Sequence, residues 1–198
     1  KEAEERRNEI LDGAGRLFAT KGFDNTSTNE ILEEVRIARG TLYYHFKSKE
    51  DIMDGIIDRM TKTMMAKAAQ IAGNKEIPAL QRVTMTIMAL NVENDLGHEV
   101  MTQVHRPQNA LMHHKMQTKI LEHINPLITQ LLMECIEQGL CNTEYPTETT
   151  EMVMMYSTTA FDALEETDEQ TRQRKVGAFI YNLERLLGME NGSMWEVI

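Results

Sequence analysis

The residues best suited to chemistry lie between Val35 and Lys49. This stretch holds Arg36, Arg39, Lys47 and Lys49 and no acid, in a chain whose formal net charge is −10. A basic island inside an acidic protein, interleaved with Tyr43, Tyr44 and the small residues Gly40 and Thr41, is what a phosphate backbone selects. An ordinary solvated helix end can also carry a run of like charge. Length, sign and aromatic content together favour a nucleic-acid contact.

The elements that must position these side chains are three short pieces. Ser27-x-x-Glu30 is a capping box: the hydroxyl accepts the Glu30 N–H while the Glu30 carboxylate reaches back. Ile31, Leu32 and Val35 follow at helical spacing and give that helix one apolar face. A second helix is expected over roughly Ala38 to Phe46. Leu42 and Phe46 lie four apart and turn inward, leaving Arg39, Gly40, Thr41, Tyr43, Tyr44 and His45 on the outer side. Ser48-x-x-Asp51 opens a third helix with another capping pattern. Helix, tight turn, helix, with the charge on the second helix, is the helix-turn-helix arrangement that places a recognition helix in the major groove.

At these residues the sequence resembles the TetR family of transcriptional regulators. Thr26, Thr28, Ile31, Gly40-Thr41-Leu42-Tyr43, His45-Phe46 and Lys47-Ser48-Lys49-Glu50 match its signature in order and without insertions. The close match covers about residues 8–55; beyond it only length and helical content agree. Three departures stand out. Arg36 occupies the turn where the family usually has Gly, Ala38 sits where a Ser or Thr often caps the recognition helix, and Leu32 and Val35 replace alanines. The resemblance implies an all-α protein with a three-helix DNA-binding head over residues 1–50 and a larger helical body over 51–198 for ligand binding and dimerisation. It also implies the DNA contacts: Thr41, Tyr43, Tyr44, Arg39 and His45 toward the major groove beside Gly40, with Thr28, Lys47 and Lys49 on phosphates.

Composition sets the bounds. A chain of 198 residues fits one or two small domains, and 41% hydrophobic residues can fill a real core. No run of about eighteen apolar residues exists to span a membrane. No signal peptide is visible, though the chain starts at Lys1 without Met. Cys135 and Cys141 argue against a disulfide framework and suit a reducing cytoplasm.

In chain order, the charged residues 1–9 read as a frayed helix start or as an arm touching DNA through Arg6 and Arg7. Ile10, Leu11, Ala14, Leu17 and Phe18 make an apolar stripe, ended by Lys21-Gly22. Asp51 to about Ile71 is one helix and the mechanical link from head to body. After a break at 72–75, Ile77-Pro78 starts a helix whose uncharged run Val83–Val92 should be buried on most sides. A short helix is expected within 93–107. A long one runs from Gln108 to Gly139, broken or kinked at Pro126. Another follows from Thr147 to about Glu166. Thr167-x-x-Gln170 then caps a last helix striped with Val176, Phe179, Ile180, Leu183, Leu186 and Leu187.

The body offers candidates for a small, largely apolar ligand: Thr84, Asn91, His113 and Tyr156 as polar contacts, with Met88, Met112, Met116 and Phe161 around them. The plainer reading of the same residues is core. His98, His105, His113, His114 and His123 lack metal-ligand spacing, so neither metal nor cofactor is expected. No nucleophile–base pair, phosphate loop or paired-carboxylate pattern marks an enzyme. The uncharged Met152–Phe161 run and the last helix carry more apolar surface than one small body needs, which predicts a homodimer. The function expected is a DNA-binding regulator, most simply a repressor released from its operator by a small molecule. The alternative is a ligand-binding or protein-interaction module whose head no longer binds DNA. Net acidity favours a neutral or cationic ligand.

Overall fold

A computed structural model describes residues 2–90, 109–162 and 167–196, apart from the side chains of 161, 162 and 196. The described residues form eight α-helices and a short 3-10 turn, and no strand. They are α1 (Glu2–Lys21), α2 (Thr28–Val35), α3 (Arg39–His45), α4 (Lys49–Gly73), α5 (Ala79–Met88), α6 (Ala110–Glu137), α7 (Pro146–Asp162) and α8 (Glu169–Leu186), with the 3-10 turn at Ser193–Glu196. Asn91, the expected helix within 93–107, His98 and His105 lie outside the described residues, as does the side chain of Phe161.

The chain packs as two compact units. One holds residues up to Thr63 together with those described from Asn109 to Thr118; the other holds Met64 to Leu90 and the described residues from Lys119 onward. Helices α4 and α6 each have residues in both.

The first unit is built on Ile10, Leu11, Ala14, Phe18, Phe23, Ile31, Leu42, Phe46, Ile52, Met53, Ile56 and Ile57, all buried. The sequence stripes therefore face inward as their spacing requires. Close approach needs two glycines. A Cβ on Gly13 would lie 2.5 Å from Val35 Cγ2, and one on Gly55 would lie 3.0 Å from Leu11 Cδ2. Ion pairs brace the outside: Arg16 Nη2 to Glu34 Oε1 at 2.9 Å, Arg59 Nη2 to Asp12 Oδ1 at 2.7 Å, and Lys21 to Glu30.

Residues 2–9 are already helical, and neither arginine there is a loose arm. Arg6 bonds Glu9, and the Arg7 guanidinium lies 4.9 Å from the centroid of the Phe46 ring.

In the second unit, Ala79, Leu132, Cys135, Cys141 and Leu187 form a buried cluster with Leu80, Val83, Ile136, Leu183 and Met189 against it. Cys135 and Cys141 are free thiols. The hydrogen bond to Cys141 and burial push the Cys135 thiol up.

Three details differ from expectation. The uncharged run is only partly buried: among its described residues Thr84 and Thr86 are buried, Met88 is 49% exposed and the others are half-buried, while Arg82, the residue before the run, is buried. Arg82 can be buried because its guanidinium bonds the Glu134 carboxylate, the Ala72 carbonyl at 2.9 Å and the Ile77 carbonyl at 3.0 Å. Pro126 lies inside one continuous helix; it sits on the exposed side, where water can satisfy the carbonyl it deprives of a partner. Helix α8 is capped by Asp168, which accepts the Thr171 N–H at 2.9 Å, one residue beyond the Thr167 box. Asp ranks above Thr as an N-cap acceptor.

Candidate nucleic-acid interface

The recognition surface is assembled from the two short helices. The α2 capping box is complete: Glu30 N–H donates to Ser27 Oγ at 3.3 Å and Ser27 N–H donates to Glu30 Oε2 at 2.8 Å. Bonds from Lys21 and then Ser27 hold the Glu30 carboxyl down at about 2. The helix ends at Arg36, whose φ of 56° and ψ of 49° are left-handed, the one positive φ of a non-glycine among the described residues. An arginine thus does the job that glycine does without a Cβ penalty.

Helix α3 follows after two residues. Its N-cap, Ala38, gives no side-chain bond. What fixes α3 is its inner side: Leu42 and the following Phe46 are 1% and 2% exposed. With those anchors buried, Arg39, Gly40, Tyr43 and Tyr44 face solvent, and Thr41 and His45 are half-buried. Tyr44 is 79% exposed and Tyr43 47%, too much for residues with a packing role in the head. The Tyr44 and His45 rings meet edge to face at 4.9 Å. A Cβ on Gly40 would meet nothing within 4 Å, so the interior does not require glycine there. Its absence leaves backbone open to a close approach from outside.

The electrostatics favour an anion. Of the three acids on α2, Glu30 is paired with Lys21 and Glu34 with Arg16, both bases from α1, while Glu33 is exposed. Arg39 Nη2 donates to Asn29 Oδ1 at 2.9 Å, which directs the guanidinium along the edge shared by α2 and α3. Lys47 is exposed just past α3, and Thr28 is half-buried at the start of α2.

Lys49 behaves differently from its neighbours. Its ammonium donates to the carbonyls of Phe23 at 2.7 Å and Thr26 at 2.9 Å and lies 4.2 Å from the Phe23 ring centroid. The fold has already engaged this charge, and Lys47 is the lysine turned outward. Asn29 and Lys49's partners were not legible in advance; the usable signal for Asn29 was an Asn in the first turn beside the capping Ser.

The ligand candidates do not gather in one unit. Met112, His113 and Met116 belong to the unit that contains the head, and both methionines are buried, 1% and 2% exposed. Thr84, Met88 and Tyr156 belong to the other. Thr84 is buried with its hydroxyl on the Leu80 carbonyl at 3.4 Å, whereas Tyr156 is 53% exposed and stacks on Phe179 at 5.8 Å. Among the described residues no three His, Cys, Asp or Glu come together as a metal site, and no helix is long and apolar enough to cross a membrane.

A buried three-helix base carrying an exposed basic and aromatic short helix defines a helix-turn-helix protein. Residues 10–56 match the family model described as bacterial regulatory proteins, tetR family, and residues 92–181 match the tetracyclin repressor-like C-terminal domain. The chain belongs to the TetR family, a family of regulators and not of enzymes. It is 30% identical over 114 residues to the HTH-type transcriptional regulator TtgR of Pseudomonas putida, which covers 58% of this chain and 52% of that protein. It is 46% identical over 55 residues to AcrR of Shigella flexneri, 28% of this chain and 26% of the relative. The chain thus spans about half the length, or less, of these curated relatives. Among solved structures, a TetR-family transcriptional regulator from Pectobacterium atrosepticum aligns with a TM-score of 0.69 at 19% identity, over 94% of this chain and 96% of that one. The structure of RolR in complex with resorcinol aligns with a TM-score of 0.64 at 18% identity, over 99% of this chain and 94% of that one. At such identity the likeness concerns the fold.

Proposed function

We propose that the protein is a homodimeric, sequence-specific DNA-binding repressor whose operator affinity is set by a small molecule, acting in the cytoplasm where the operator lies. The observation that carries this is the outer face of α3: Arg39, Gly40, Tyr43 and Tyr44 exposed together on a helix anchored by buried Leu42 and Phe46. Tyrosine hydroxyls and the arginine reach base edges, while Lys47 and Thr28 hold phosphates and set the register.

Dimerisation is supported by the apolar side chains that α7 and α8 leave exposed: Met152, Met155, Tyr156, Tyr181 and Leu186, each more than 40% exposed. Residues 152, 155 and 156 share one side of α7 by helical spacing. Exposed apolar surface of this kind marks an interaction site. Two heads on a two-fold axis read a near-palindromic operator.

The ligand reading is supported by buried polar atoms. Thr86, Thr129 and Thr150 Oγ1 and Asn125 Oδ1 are buried with no hydrogen-bond partner among the described residues. By contrast, Thr20, Thr61, Thr63 and Thr118 each donate to a carbonyl one turn back. An unmet buried polar atom costs about 1–3 kcal/mol, a cost that a ligand or water removes. A ligand moves DNA affinity only by binding two conformations unequally; a coupling of about 1–3 kcal/mol changes it roughly 5- to 150-fold.

The test is selection of duplexes from a random pool, followed by a gel shift with the selected sequence and with the gene's own upstream region. Enrichment of a near-palindrome bound by a dimer supports the proposal. A chain that enriches nothing at low salt is instead a ligand-binding or interaction module.

A further inference from the structure

Asn109 stands immediately before α6, 86 residues beyond Phe23 in sequence, and is 2% exposed. Its carboxamide bridges the corner between α1 and α2. Oδ1 accepts the Phe23 backbone N–H at 2.8 Å, and Nδ2 donates to the Phe18 carbonyl at 3.3 Å. Phe18 and Phe23 are themselves buried and in edge-to-face contact at 5.2 Å. The corner they form also carries the Thr26 hydroxyl on the Gly22 carbonyl at 2.8 Å and the Lys49 ammonium on the Phe23 and Thr26 carbonyls. Asn109 thus satisfies backbone groups of the α1–α2 corner from outside the first 63 residues. A few residues further along α6, Lys115 Nζ bonds Asp54 Oδ1 on α4 at 2.6 Å, inside the same compact unit.

The geometry points to Asn109 as a positioning residue of the DNA-reading head. It fixes the α1–α2 corner on which α2 sits, and so the orientation of α3, from the start of α6. The reasoning is one of satisfaction. The Phe23 N–H is buried, and without an acceptor it costs about 1–3 kcal/mol, so the corner and the amide are held together strongly. An asparagine can serve a donor and an acceptor at once; neither Ala nor Leu serves either. Because α6 continues to Glu137, the head is tied to this helix as well as to α4, which follows it directly in the chain. The inference rests on the DNA-binding reading only for its affinity readout.

Three forms of the full-length protein decide it: wild type, Asn109→Ala and Asn109→Asp. Asp keeps an acceptor for Phe23 and lacks the donor to Phe18. The first readout is amide hydrogen exchange, which needs no DNA. Asn109→Ala should lose protection at Phe23 and along α2–α3 by at least tenfold, and Asn109→Asp should keep most of it at Phe23. The second is affinity for a duplex selected by the wild type, which should fall about tenfold or more in Asn109→Ala and less in Asn109→Asp. Lys115→Ala serves as the control for a half-buried ion pair of the same helix that touches no backbone of the corner, and should change both little. Wild-type protection of α2–α3 in Asn109→Ala overturns the proposal, as does wild-type affinity. If Asn109→Ala does not fold, Asn109→Asp carries the decision, and full loss of Phe23 protection there also overturns it. If the wild type selects no duplex, the DNA-binding reading falls and the exchange data alone judge Asn109.

Discussion

Lys49 holds Phe23 in two ways: its ammonium donates to the Phe23 carbonyl at 2.7 Å and lies 4.2 Å from the centroid of the Phe23 ring. With the further bond to the Thr26 carbonyl, a lysine in the basic island closes the α1–α2 corner. Hydrogen bonds from a charged group contribute about 1.5–3 kcal/mol each, and water recovers part of this when the side chain is removed. Lys49→Ala is expected to cost about 2 kcal/mol, lowering the melting temperature by roughly 4–8 °C for a chain of this size. Lys47→Ala should leave melting unchanged and reduce the slope of log affinity against log salt by about one. Calorimetry and a salt titration of DNA binding check the pair. An unchanged melting point with a reduced salt slope in Lys49→Ala returns that residue to the phosphate contacts.

Arg36 ends α2 at a φ of 56°. Left-handed backbone strains any residue with a Cβ, whereas glycine enters it freely. Arg36→Gly should therefore stabilise the protein by about 0.5–1 kcal/mol even though it removes a charge. Denaturant titration measures the change. A loss of stability would mean that the exposed arginine contributes more to the head than its backbone strain costs.

Acid should loosen both units. Bonds from Arg82 and Lys75 hold the Glu134 carboxyl down from 4.5 to about 2, and bonds from Lys21 and Ser27 do the same for Glu30. A carboxyl depressed in the folded state contributes stability that is present above its unfolded value and disappears as pH falls through the folded one. Melting temperature should thus decline between about pH 4.5 and pH 2. Glu134→Gln should melt below the wild type at pH 7, and the gap should narrow across that window. Melting curves at stepped pH check this; a gap constant from pH 7 to pH 2 would remove Glu134 from the account.

Met155 and Tyr156 are 63% and 53% exposed on α7. Placing a charge there should disfavour an apolar dimer interface while leaving the fold of one chain intact. Sedimentation at micromolar concentration should show a dimer for wild type and a 22.7 kDa species for the double variant Met155→Asp, Tyr156→Asp. DNA affinity should drop with it. A wild type that sediments as a single chain excludes the dimer outright.

The sequence by itself determined the head. Capping depends on residues three apart and a helix's inner face on residues three and four apart, so Ser27 with Glu30 and Leu42 with Phe46 were legible as short-range patterns. The exposure of Tyr43 and Tyr44 then followed from geometry. Tertiary structure decided what depends on partners distant in sequence. Lys49 was legible only as a base of the island, and its bonds to the Phe23 and Thr26 carbonyls were not. Arg82, the residue just before the uncharged run, is buried because Glu134 and two backbone carbonyls satisfy it. Asn109 carried no local signal, since the Phe18 and Phe23 groups it serves are set by the fold and not by neighbours in the chain. Periodicity reports which way a side chain points; it does not report the polar atom waiting there, and that atom decides whether a charge or an amide serves the interface or the core.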